Sequence, residues 1–195
     1  MKNPIKIQSR CLAIIICIIA IAFTSCSQKS ETKSTTATSN EKIAKPSQDI
    51  HEAIISNNLE VVKQHIENGS DINKIENMSG STPLLTAVTF NRPKIVVELL
   101  KANVDLSIKN NDGSTALHTA AFFGRIDMVK LLLDAGADKT IKNNFGATPR
   151  ETVLGEFSQM KPIYEMLTLQ LQPMGFTLDL NELEKARPVV AMMLQ

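Results

Sequence analysis

From residue 47 onward the apolar positions fall into a helical rhythm that restarts several times. Val62, Val96 and Val129, each followed four residues on by Ile66, Leu100 and Leu133, place an apolar face at helical spacing on three equivalent segments. A shorter segment precedes each one, with a small residue, Ala53, Ala87 or Ala120, at the matching place. A pair of helices is therefore predicted for every unit, the small residues letting neighbouring units approach closely. Thr82, Thr115 and Thr148 sit where an N-cap hydroxyl can accept from a first-turn N–H. Pro83 and Pro149 follow at the first helical position, where a missing donor costs nothing. Gly69, Asn103 and Gly136 fall where the second helix of each pair must end. Glycine suits the left-handed dihedral needed there, and asparagine is its usual substitute.

The units also superimpose residue by residue. Thr82-Pro83-Leu84, Thr115-Ala116-Leu117 and Thr148-Pro149-Arg150 recur at a spacing of 33, the segment from Asp112 lies on that from Ser79 without a gap, and one from Asp49 fits at 34. A fixed period of this length denotes stacked units, each burying its apolar face against its neighbours. The pattern resembles the ankyrin repeat: a glycine-containing hairpin turn, T-P-L-H-x-A-A, a second helix of the form G-x-x-x-x-V-x-x-L-L, and G-A-D. The unit from Asp112 carries Gly113, Thr115, Leu117, His118, Ala120, Ala121, Gly124, Val129, Leu132, Leu133, Gly136, Ala137 and Asp138 in those places.

The resemblance covers about residues 49–169. It implies an all-α fold, an ankyrin-repeat solenoid of helix-turn-helix-hairpin units with about four repeats (47–77, 78–110, 111–143 and 144–172) and a C-terminal helical cap over 173–195. The fourth unit departs from the pattern, because Arg150 and Glu151 replace the Leu-His pair and no G-A-D follows. Its second helix is predicted over 161–171, with Ile163, Tyr164, Met166 and Leu167 as the apolar face, and its decay reads as capping. Beyond Pro173, Asp179 is a candidate N-cap with Glu182 three residues on, and Pro188 marks a second helix start.

The amino terminus follows another pattern. Residues 1–10 hold Lys2, Lys6 and Arg10 and no acidic group, and residues 11–23 are an unbroken apolar run, the n-region and h-region of a secretory signal. A helix of that run spans roughly 20 Å against a hydrocarbon core of roughly 30 Å, so a permanent span is the weaker reading. Phe23-Thr24-Ser25-Cys26 resembles the lipobox of bacterial lipoproteins. That implies removal of residues 1–25 as a signal peptide, lipid attachment at Cys26, and a lipid-anchored place in the bacterial cell envelope. Ser27 follows where an Asp would favour inner-membrane retention, which leans to the outer membrane, facing periplasm or cell surface. Phe23 departs from the family's usual Leu, and ordinary cleavage after Ala22 or Ser25 is the alternative. Residues 26–46, rich in Ser, Thr, Lys and Glu, predict a disordered tether with a reach of roughly 25 Å.

Composition then narrows the function. The chain has no Trp and one Tyr, so its core is built from Leu, Ile, Val, Ala and Met. Losing Lys2, Lys6 and Arg10 with the leader leaves 18 basic residues against 20 acidic, with no basic patch, which argues against a nucleic-acid partner. All three cysteines, Cys11, Cys17 and Cys26, precede the repeats. The folded part therefore has no disulfide or thiolate metal site. Of the histidines, His51 and His118 share the repeat position at which the family bonds between repeats, and His65 falls on the packed face of a second helix. No nucleophile, phosphate-loop or zinc motif is present. The expectation is a protein that is not an enzyme and takes neither cofactor nor metal.

In the family, partners dock on the concave side. Here that means Met78, Ser79, Ser81, Asn111, Asp112, Ser114, Asn144 and Phe145 at the hairpin tips, and Thr89, Phe90, Phe122 and Phe123 at the ends of the first helices. Aromatic side chains in a weakly charged groove suit the centre of an interface, so Met78, Phe90, Phe122 and Phe145 are expected to form an apolar patch. For Phe90, Phe122 and Phe123 the alternative is packing against adjacent repeats. The expected function is a monomeric, non-catalytic scaffold that binds another protein and reaches the membrane through lipidated Cys26. The alternative is an immunity or inhibitor protein that neutralises an exported toxin or hydrolase.

Overall fold

A computed structural model describes residues 45–195 of the chain. The expected signal peptide, Cys26 and the tether as far as residue 44 lie outside the described residues. Among the described residues there are eight α-helices and no strand: α1 (Ile50–Ile55), α2 (Leu59–Glu67), α3 (Pro83–Thr89), α4 (Pro93–Lys101), α5 (Ala116–Phe122), α6 (Ile126–Asp134), α7 (Phe157–Leu171) and α8 (Leu180–Met193). None of these helices is long and apolar enough to cross a membrane.

The helices form two rows. Within each unit α1 packs on α2, α3 on α4 and α5 on α6, while α1, α3 and α5 stack in one row and α2, α4 and α6 in the other. Ala53, Ala87 and Ala120 are fully buried between the members of the first row, as their size predicted. Val62, Val96 and Val129 are buried as predicted too. Their companions differ: Ile66, Leu100 and Leu133 lie half-buried at the flank, and Leu99 and Leu132 fill the core instead.

Local capping sets where α1, α2 and α3 begin. Asp49, Asn58 and Thr82 accept from the N–H groups of His51, Val61 and Leu85, each such cap being worth about 1 kcal/mol. Gly69, Asn103 and Gly136 all take positive φ as expected. Behind them the N–H groups of Ser70, Val104 and Ala137 return to the carbonyls of His65, Leu99 and Leu132, closing each second helix with a Schellman motif.

Two histidines tie repeats together. His51 Nδ1 lies 2.9 Å from the Thr86 hydroxyl and Nε2 3.1 Å from the Lys74 carbonyl. His118 Nδ1 accepts from the Thr115 N–H at 3.2 Å, so Nε2 carries the proton and donates to the Ala147 carbonyl at 3.0 Å. Burial pushes the His118 imidazolium below its ordinary value, the Ala147 carbonyl opposing and Lys109 adding to the shift. An unfolded chain therefore takes up this proton before the folded one. Stability is complete above about pH 6.5 and declines as pH falls from there toward the lowered folded value. The thermal midpoint is expected to fall between about pH 7.5 and about pH 5.5, and to fall much less in His118→Gln. A wild-type midpoint flat over that interval would mean that the ring is not held neutral.

The carboxyl end departs from the expected plan. Thr148 and Glu151 form a capping box, Glu151 Oε2 accepting from the Thr148 N–H at 2.7 Å and hydroxyl at 2.9 Å. The helix it starts is only a 3-10 turn, Glu151–Val153, ending at Leu154 and Gly155. That turn packs on α5, and α8 packs on both α6 and the turn. The outer seat of the fourth unit is thus filled by α8, not by the predicted helix 161–171. The latter is part of the longer α7, on which only Tyr164 is fully buried. Asp179 caps α8 as predicted, accepting from Asn181 and Glu182. Pro188 is not a helix start: it lies inside α8 on the exposed side, where the carbonyl it leaves without a donor can face water.

Candidate protein-binding face

The hairpin tips are built by asparagines acting in pairs. Asn110 Oδ1 accepts from the N–H groups of Asp112 and Ser114, and Asn143 Oδ1 from those of Phe145 and Ala147, which folds each tip back on itself. Asn111 and Asn144 then link tip to tip. The N–H of Asn111 donates to the Ser79 carbonyl and its Nδ2 to the Met78 carbonyl, and Asn144 does the same to Asp112 and Asn111, all at 2.9 Å. The approach is so close that a Cβ on Gly113 would lie 2.4 Å from Asn144 Oδ1. Asn110 and Asn143 were not singled out from the sequence, although the Asn-Asn pair recurs at the repeat spacing.

In the first of these tips Glu76 takes the organising part. Its carboxylate accepts from the N–H groups of Met78 and Ser79 and from the Ser79 hydroxyl, which also lies 2.7 Å from the Ser81 hydroxyl. Partial burial pushes this carboxyl up, but the bonds from Ser79, Met78 and Ser81 together hold it below the usual value. Ser79, Ser81, Asn111, Ser114 and Asn144 thus all work inside the hairpins. The tip side chains left over are Met78, 69% exposed, Phe145, 65% exposed, and the exposed Asp112.

The ends of the first helices are arranged differently from the expected open groove. Phe90 and Phe123, the C-caps of α3 and α5, are only 7% exposed. Phe176, from the link between α7 and α8, stands edge-on to both, with ring centroids 6.2 Å from Phe90 and 5.3 Å from Phe123. Phe122 is half-buried against Phe123 at 5.0 Å and Tyr164 at 4.7 Å, and Thr89 is half-buried. Phe90 and Phe123 therefore pack under the chain's own carboxyl segment, and the expected patch of Met78, Phe90, Phe122 and Phe145 is not one open surface. Of the residues that close it, Tyr164 was expected on the apolar face of the fourth unit's second helix, while Phe176 lies outside the repeat pattern and no periodic signal pointed to it.

Tyr164 and two arginines secure this cover. The Tyr164 hydroxyl donates to the Phe122 carbonyl at 3.0 Å and accepts from Arg187 at 3.1 Å, while Arg187 also donates to the Gly155 carbonyl and lies over the Phe157 ring. Burial pushes the Tyr164 phenol up, with Arg187 opposing. Arg125 donates to the Thr177 carbonyl at 2.9 Å and lies 6.0 Å from the Phe176 ring centre. His65 stands apart at the other end, its Nδ1 3.1 Å from the Ser70 hydroxyl and Nε2 2.8 Å from the Gln48 carbonyl. The arrangement offers apolar and amide surface for recognition.

Comparison with known proteins agrees with this geometry. A family model described as ankyrin repeats matches residues 50–143 in three copies. Among solved structures, the chain is similar to the ankyrin repeat domain of Bcl-3, described as a unique member of the IkappaB protein family, at 33% identity and a TM-score of 0.52. The match covers 53% of this chain and 45% of that one, so this chain spans less than half of its structural relative. Comparison with curated protein sequences gives no match. The described residues form an all-α solenoid with the architecture of an ankyrin-repeat stack, the ankyrin model matching residues 50–143 and the segment after them closing the stack.

Proposed function

We propose that this chain is a non-catalytic scaffold, held at the bacterial cell envelope by a lipid on Cys26, that binds one protein partner through the hairpin tips of its ankyrin repeats. Ankyrin repeats generally serve protein–protein interaction, which supports the binding role. The observation that carries the choice of surface is the exposure of Met78 and Phe145, the large apolar side chains of tips whose asparagines Asn111 and Asn144 are occupied in linking one hairpin to the next. Large apolar side chains at such places stabilise nothing in the fold and are available to anchor a partner. The lipobox-like Phe23-Thr24-Ser25-Cys26 supports the tether.

One capture experiment addresses both parts. With the full-length chain as bait in solubilised envelopes, replacing Met78 and Phe145 together by Ser is expected to reduce recovery of the partner by about tenfold or more. The thermal midpoint should stay within a few degrees of wild type, as for exposed positions generally. Equal recovery by the double variant would remove the tips from the interface. In the same cells Cys26→Ser is expected to leave the membrane fraction, and a variant still sedimenting with membranes would rule out the lipid tether.

A further inference from the structure

We propose that the segment 167–178 is a resident ligand, seated in a peptide-docking groove at the ends of α1, α3 and α5. A partner takes that groove by displacing it with a segment of the same chemistry, a phenylalanine between leucine-sized side chains whose following carbonyl meets Arg125. The inference rests on the reading of the chain as a protein-binding scaffold and deepens it.

The seat is defined by repeat-equivalent positions. Ile55, Phe90, Phe122 and Phe123 line it, and Phe176, 1% exposed, is the side chain inserted among them. Around that anchor the strap is thin. Leu167, Leu171 and Leu178 are half-buried, and Gln172, Pro173, Met174, Gly175 and Thr177 are exposed. Its two ends are held by separate packing, Tyr164 on one side and Leu183, Ala186 and Val190 of α8 on the other. Phe176 can therefore leave its seat with both ends still anchored.

Arg125 stands where the repeat register offers a second arrangement of the seat. Arg92, one repeat earlier, reaches back to the preceding first helix and donates to the carbonyls of Ile54 and Ile55, at 3.3 Å from Nε and 2.8 Å from Nη2. The repeat register places Val88 and Thr89 in the same relation to Arg125. Arg125 turns instead to Thr177, and its buried Nε is left without a partner. A buried donor in that state is costly. With the strap displaced, Arg125 regains the repeat-equivalent arrangement or meets the carbonyl of an incoming segment. Two packings of one element, each satisfying part of the same groove, are what a ligand can shift between.

The test uses the full-length chain in mild detergent and a labelled peptide of residues 170–179, QLQPMGFTLD. The Phe176→Ser chain, its groove vacated, is expected to bind the peptide about tenfold to a hundredfold more tightly than wild type, in which the resident strap competes. A peptide carrying the same Phe176→Ser change should bind neither chain. Equal binding to both chains, or no binding to a Phe176→Ser chain whose circular dichroism matches wild type, overturns the proposal. A second measurement needs no variant. Excess peptide added to wild type should speed hydrogen exchange at Gly175 and Phe176, which donate to Gln172 and Leu171, and leave Ala87 and Ala120 unchanged. Exchange unaltered at saturating peptide also overturns it. Neither measurement involves the natural partner, so a strap that stays seated leaves the hairpin-tip capture result standing, and a failed capture leaves the groove result standing.

Discussion

Replacing Tyr164 with alanine is expected to destabilise the fold by about 4–8 kcal/mol, a large share of the stability of an ordinary domain. The side chain is fully buried, with its ring against Phe122 and near Phe157. Losing a buried aromatic ring costs about 3–5 kcal/mol through lost transfer energy and the cavity left behind. The hydroxyl adds to this, because its removal leaves the Phe122 carbonyl unpaired and takes one acceptor from the buried Arg187, at about 1–3 kcal/mol. Tyr164→Phe isolates that second contribution. Urea unfolding followed by circular dichroism separates the two variants. An alanine variant no less stable than the phenylalanine one would show that the ring does not hold α7 against α5.

The second large effect lies at the hairpin tips. Gly113→Ala is expected to destabilise by about 3 kcal/mol and Gly69→Ala by about 1 kcal/mol, although both residues have similar positive φ. At Gly69 a Cβ meets nothing within 4 Å, so only the backbone conformation is penalised. At Gly113 it would lie 2.4 Å from Asn144 Oδ1 and 2.7 Å from the Asn144 backbone nitrogen. The Asn144 links to Asp112 and Asn111 must then stretch or break, each being worth about 1 kcal/mol. Thermal unfolding of the two variants side by side gives the difference directly. Equal losses would mean that the tips separate freely and that the asparagine ladder contributes nothing.

How far the candidate site was legible depends on which contacts build it. Exposure of Met78 and Phe145 follows from their places in the repeat, since hairpin tips project from the stack whatever its ends do. Phe90 and Phe123 occupy equivalent places in the same register, yet they are covered. Their cover comes from Phe176, which belongs to no repeat and whose position in the chain carries no information about its seat. The fourth unit shows the same division. Its capping box at Thr148 and Glu151 is a three-residue relation and formed as written, but the helix it should start stops within one turn.

The sequence by itself determined the repeat period, the starts of α3 and α5, the stops of α2, α4 and α6, the small residues between the rows and the part played by His51 and His118. All of these are relations within four residues or from one repeat to the next, where local geometry leaves few solutions. Tertiary structure alone decided that α8 takes the outer seat of the last unit and that the α7 segment lies over the ends of the first helices. Those placements rest on links such as Arg125 to Thr177 and Tyr164 to Phe122, 52 and 42 residues apart in the chain. Two amphipathic helices could each have completed the stack. The choice fell to α8 because Leu183, Ala186 and Val190 on it and Leu194 at its C-cap are buried, while α7 fully buries only Tyr164.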